Sequence, residues 1–168
     1  ELHFNGGDKD QVDFHRFVLF VNHEFNDRIR FFSELELEHS LSGDGKPGEV
    51  ELEQAFVEFD LTDNTSTSVG LQLVPVGILN ETHEPPTFYG VERNNVEKNI
   101  IPSTWWEAGV KFTHKLGDTI QIDGMVHSGL ETPIEGGNAF LIRKGRQKVA
   151  NATWKNAAFT GRLNWIPV

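Results

Sequence analysis

Cysteine is absent from the 168 residues, which excludes a disulfide framework and any thiolate metal site. That absence is compatible with the periplasm or the cell surface. Long apolar runs are missing as well. Nothing approaches the roughly 20 consecutive apolar residues that a membrane-spanning helix needs, and mean hydropathy is −0.38. A membrane β-barrel escapes this exclusion, because its strands alternate in polarity and look unremarkable in a hydropathy average. Cations are scarce: 15 Lys and Arg against 25 Asp and Glu give a formal net charge of −10. Phosphate backbones require clustered Lys and Arg, so nucleic acid is not an expected partner. The chain also lacks H-E-x-x-H, a G-x-S-x-G elbow and a glycine loop in a strand–loop–helix setting. No enzyme activity, cofactor or metal is therefore expected. The opening "ELHFNGGDKD" has no signal-peptide character, so an exported form would already have lost its leader.

What the chain does have is alternation. In "RIRFFSELELE" (28–38), Ile29, Phe31, Leu35 and Leu37 share one face, and Arg28, Arg30, Glu34, Glu36 and Glu38 share the other. A period of two is the signature of a β-strand with unlike faces. Similar runs occur at 12–25, 50–61, 67–74, 105–114, 119–130 and 157–165, about seven strands in all. No stretch holds helical periodicity over several turns. The predicted class is all-β and antiparallel.

The connections alternate in length. Those at 26–27, 62–66 and 115–118 are tight, whereas 42–49, 75–104 and 131–155 are long. An up-and-down transmembrane barrel has this rhythm, with short turns at one end and long loops at the other. Several runs exceed the ~5–6 residues of ordinary strands and approach the ~9–11 needed to cross a bilayer at a tilt. Trp105, Trp106 and Trp165 fall at strand ends, where an interfacial aromatic girdle would place them. High β-propensity or core packing accounts for them equally well.

The runs "FHRFVLFVNHEFNDRIRFFSELELEHS" and "GEVELEQAFVEFDL", the Gly-containing strand leading into "PVGILNETHEPPTFYGVERN", and "TWWEAGVKF" together resemble bacterial outer-membrane porins of the phosphate-selective porin O and P type, in their marine-proteobacterial relatives. The resemblance covers almost the whole chain and is weaker after Glu131. It implies a bacterial outer-membrane protein, monomeric or homotrimeric, with a barrel of about 16 strands of which this chain supplies part. The partners it implies are membrane lipid, lipopolysaccharide and small ionic solutes. Phosphate selectivity is not carried over. An anion pore needs rings of Arg or Lys, and this chain offers an acidic ladder instead.

On the barrel reading, apolar residues face lipid and the pore is lined by Arg28, Arg30, Glu34, Glu36, Glu38, Glu51 and Glu53. The ladder Glu34, Glu36 and Glu38 reads first as a solvated strand face, second as a cation-attracting vestibule, and last as a divalent-ion chelate with Glu51 or Glu53. The loop at 75–104, stiffened by Pro85 and Pro86, is expected to fold inward as a constriction presenting Glu81, His83, Glu84, Glu92 and Arg93. The basic group Arg143, Lys144, Arg146 and Lys148 is expected on an exposed loop rather than in the eyelet. The expected function is passive diffusion of small polar or ionic solutes. The alternative is a secreted or periplasmic β-sandwich that binds carbohydrate, its apolar strand faces packed on one another.

Overall fold

A computed structural model describes residues 2–5, 10–90, 93–155 and 157–167. Two short strands, β1 (His3–Asn5) and β2 (Gln11–Asp13), pair antiparallel. Seven longer strands follow: β3 (Arg16–Asn26), β4 (Ile29–Glu38), β5 (Val50–Thr62), β6 (Thr65–Leu73), β7 (Trp106–Leu116), β8 (Ile120–His127) and β9 (Ala158–Trp165). They form one sheet in sequence order, each antiparallel to its neighbour. The all-β, antiparallel expectation holds, with tight and long connections alternating as anticipated. The run at 12–25 is two strands rather than one. Among the described residues β3 and β9 do not pair with each other, so this sheet has two free edges and does not close on itself. No helix among these residues is long and apolar enough to cross a membrane.

The register turns alternation into two chemically distinct surfaces. One transverse row across six strands reads Phe31, Val57, Val69, Val110, Val126 and Phe159; the neighbouring row on the opposite face reads Arg30, Glu58, Ser68, Lys111, Met125 and Thr160. Glycine is required at two points in the sheet, Gly70 and Gly109, where a Cβ would run into neighbouring backbone. Gly70 has φ +139°, and a Cβ there would lie 2.4 Å from the Ala55 carbonyl oxygen.

The packing is inverted relative to a water-soluble sheet. The segments 74–90, 93–105 and 128–155 fold over the polar face and bury it: Glu34 and Glu36 are 2% exposed, Glu53 1%. The apolar face stays open, with Val69 at 50%, Val110 at 49% and Phe159 at 74%. Among the described residues, thirteen polar or charged side chains are fully buried against five hydrophobic ones. The expectation of a solvated acidic ladder is therefore corrected for Glu34 and Glu36, because the loops displace water from that face.

The small apolar cluster lies where the long segments leave the sheet: Val74, Trp105 and Met125, with Val76 and Leu130 against them. Trp105 and Trp106 are buried, and the Lys148 ammonium sits 3.9 Å from the Trp106 ring centroid. Of the three tryptophans expected in a girdle, Trp165 alone is exposed. The other two pack within the fold because the long segments cover them.

Candidate functional site

The segment between β6 and β7 folds back over the sheet, and its neck is tied shut. The Asn80 Nδ2 donates to the carbonyls of Val74 (2.7 Å) and Trp105 (2.8 Å), while its Oδ1 accepts from the Trp105 amide at 2.8 Å. Asn80 begins a short 3₁₀ turn, Asn80–Thr82. Glu97, buried in the π-helical turn Val96–Ile100, accepts from the amides of Ile78 (2.9 Å) and Leu79 (2.6 Å). One carboxylate thus satisfies two amides that would otherwise be left without acceptors in a buried loop.

This neck delivers His83 and Glu84 onto the polar face of β4 and β5. The His83 Nδ1 lies 2.8 Å from the Asn80 carbonyl, which can only accept, so Nδ1 carries a proton. That directs Nε2 at the Glu53 carboxylate, 2.7 Å away. Glu53 reaches it because β5 has a bulge. Glu34 pairs with Gln54 and Leu35 with Leu52, leaving Glu53 unmatched in the ladder. Bulges re-aim side chains in this way. Glu34 accepts from the Gln54 amide at 2.6 Å through one oxygen; its other oxygen, Oε1, is buried with no hydrogen-bond partner. Burial pulls the His83 pKa down, but the hydrogen bond and charge of Glu53 outweigh it, and the imidazole ends above its ordinary value.

Two residues before His83, Glu81 reaches the opposite part of the sheet. It accepts from Lys111 of β7 at 3.1 Å and from Arg162 of β9, which also bonds Asp123 of β8 at 2.8 Å. Arg30 bridges Glu58 (2.8 Å) and Asp60 (2.6 Å) on the same face. Between these groups, toward the short turns, lies a polar cavity of about 310 Å³ lined by Arg30, Asp60, Glu81, Lys111 and Asp123 among others.

The second long segment is fixed through Glu107, which is fully buried and accepts from Trp105 Nε1 (2.9 Å), Ser128 Oγ (2.5 Å) and the amide of Gln147 (2.8 Å). Lys148 extends from it to Glu51 at 2.8 Å. Arg143 and Arg146 donate to the Ser103 carbonyl at 2.9 and 2.6 Å, and Arg93 reaches Thr104 Oγ1 at 3.3 Å. The freely exposed basic loop expected at 143–148 is thereby corrected: of its four cations only Lys144 is exposed, because Arg143 and Arg146 find acceptors on the facing segment and Lys148 finds Glu51 on β5. Burial, reinforced by the neighbouring Arg143, pushes the Arg146 pKa down to about 10.

The expected site residues are thus distributed unevenly. Glu34, Glu53, His83 and Glu84 come together. Glu36 is held separately by Arg16 at 3.2 Å, Glu51 by Lys148, Glu81 by Lys111 and Arg162, and Arg30 by Glu58 and Asp60. Glu38 is half-buried at the end of β4, and Arg93 lies by Thr104. Arg28 is exposed in the turn before β4 rather than on the strand face, and Glu92 falls outside the described residues. Sequence reasoning missed Asn80, Glu97 and Glu107. All three are buried polar residues whose partners are mostly backbone amides and carbonyls, which alternation does not flag.

No protein-family model matches the chain. It is 35% identical over 173 residues to an uncharacterized protein of Aquifex aeolicus (strain VF5), an alignment covering 98% of this chain and 39% of that protein. The chain spans about two-fifths of the length of the relative it matches.

Proposed function

We propose that this chain is part of an outer-membrane β-barrel channel for small polar or ionic solutes, akin to the phosphate-selective porin O and P type that its sequence resembles. The observation that carries this reading is the inversion of the sheet: charged residues covered by inward-folded segments, and a continuous apolar face left open. In water such a face would drive association, whereas against hydrocarbon it is the stable arrangement. Strand lengths of 8–13 residues suit a tilted bilayer crossing. The two free edges would be closed by further strands of a longer protein, since open edges are not tolerated in lipid. A β-sandwich would need a second sheet over the apolar face, and among the described residues the only other sheet is the short β1–β2 pair.

The inward segment between β6 and β7 would narrow the lumen, with Glu81 and His83 anchoring it from β5 to β9. Carboxylates outnumber cations on the inward face, which favours cations as permeants. The decisive experiment is reconstitution of the purified full-length protein in a planar bilayer across a KCl gradient. Stable conductance steps with a cation-selective reversal potential are expected. Absence of conductance, from protein that remains soluble without detergent, would overturn the channel reading.

A further inference from the structure

From the cluster beneath the inward segment, we infer that Glu34, Glu53 and His83, assisted by Glu84, form a binding site for a divalent first-row transition ion that joins β4, β5 and the β6–β7 segment. One ligand atom from each of Glu34, Glu53 and His83 lies within 4.8 Å of the other two, and all three side chains are buried. The Glu84 Oε1 lies 3.6 Å from the His83 Nε2.

Two features distinguish this cluster from a patch of acidic residues. First, the buried Glu34 Oε1 and Glu84 Oε1 have no hydrogen-bond partner, although Glu34 is only 2% exposed. Buried carboxylate oxygens without a donor are uncommon and call for an explanation. A cation held by Glu34, Glu53 and His83 supplies one for the Glu34 oxygen and offsets the charge that the neighbouring carboxylates concentrate. Second, the histidine is oriented as metal-ligating histidines usually are. Its Nδ1–H is fixed on the Asn80 carbonyl, an outer partner that fixes the tautomer and leaves Nε2 to the ion. The 2.7 Å contact between Nε2 and Glu53 requires one proton between them; an ion would replace it, and the proton would leave to solvent.

The donor set defines the class of ion. One imidazole and up to three carboxylates, with no sulfur, suit Zn²⁺, Mn²⁺, Fe²⁺ or Co²⁺ rather than a thiophilic ion. Calcium would ask for six or more oxygens. Ligands at about 2.0–2.2 Å from one ion stand roughly 3–3.5 Å apart, so the wider separations in the cluster, all within 4.8 Å, would tighten by at most about 1–2 Å. Three of the ligands are glutamates, whose side-chain torsions can absorb that movement. Ion binding at this cluster requires no conduction by the protein.

The test uses full-length protein in detergent, stripped with chelator and titrated calorimetrically with ZnCl₂, then with CoCl₂ while following visible absorption. One tight equivalent is expected. Glu34→Gln and His83→Gln should each weaken it by about 100-fold or more, while His39→Ala, in the separate Asp13–His15–His39 cluster, should leave it unchanged. Glu34→Gln keeps an acceptor for Gln54, so its fold can be verified by circular dichroism against wild type. No binding to wild type would overturn the inference. So would binding retained in Glu34→Gln and His83→Gln, or lost in His39→Ala alone.

Discussion

The imidazole of His83 and the carboxylate of Glu53 meet at 2.7 Å with both side chains 2% exposed, joining a bulge in β5 to a segment that begins more than ten residues later. Such a pair is held as a unit. Its partners were desolvated together, and removing one leaves the other buried without compensation.

His83→Ala should therefore destabilise the protein by about 3–5 kcal/mol, the usual cost of orphaning one member of a buried pair. Thermal unfolding in detergent measures the loss, and limited proteolysis locates it. Cleavage within 75–104 should appear well before the strands are cut; simultaneous cleavage everywhere would contradict a local anchor.

Asn80→Ala removes three hydrogen bonds at the neck of the same segment and leaves the Val74 and Trp105 carbonyls with fewer donors. At about 1 kcal/mol per bond plus the desolvation of buried groups, a loss of about 2–4 kcal/mol is expected. Hydrogen exchange at the Trp105 amide should accelerate, since its acceptor is the Asn80 side chain. Unchanged protection there would remove Asn80 from the closure.

Leu35→Arg separates lipid from water as the environment of the apolar face. Leu35 is 41% exposed, so in water the substitution should cost under about 0.5 kcal/mol, as surface changes usually do. Near a bilayer midplane it should cost about 2–4 kcal/mol and impair membrane assembly. The yield of correctly inserted, heat-modifiable protein reports which holds, and the lipid outcome is expected.

Near the N-terminus, the His39 Nδ1 lies 2.9 Å from Asp13 Oδ2, and the His15 Nδ1 lies 3.1 Å from the same oxygen. The hydrogen bond to Asp13 raises the His39 pKa, with burial opposing and Glu38 adding to the rise. The Asp13 pKa is lowered by hydrogen bonds from His39 and then His15. The His39 contribution to stability is complete below the ordinary histidine pKa and disappears as pH rises through the elevated value. The Asp13 contribution is complete above its ordinary value and disappears as pH falls through the depressed one. Protection of the β1–β2 hairpin should thus peak between roughly pH 4 and 6.5. Asp13→Asn should return His39 to near 6.5, read by NMR titration; an unmoved His39 titration would count against the pairing.

Much of the sheet was legible in the sequence because alternation encodes it directly. Six of the seven strands were bounded to within a few residues, and the Gly-, Asp- and Asn-bearing turns marked the tight connections. Alternation separates two faces without saying which one is covered, so the burial of Glu34 and Glu36 could not be read from "SELELE". That depends on where 74–90, 93–105 and 128–155 come to rest, which is decided by buried side-chain-to-backbone bonds at Asn80, Glu97 and Glu107. The His83–Glu53 contact joins residues 30 apart, with no local pattern to announce it. One trace was present: "EQ" at 53–54 puts two polar residues in succession where the alternation calls for one.

That doubled position bears on what the chain conserves in its geometry. Deleting Glu53 would restore an uninterrupted ladder between β4 and β5, keep Val50 and Leu52 on the face they already share with Ala55 and Val57, and leave the neighbouring strands in phase. The sheet as a hydrogen-bonded object would be simpler without this residue. What it provides is directional, a carboxylate placed where the pleat alone would put none. Glu53 is accounted for by what it touches rather than by the strand that carries it.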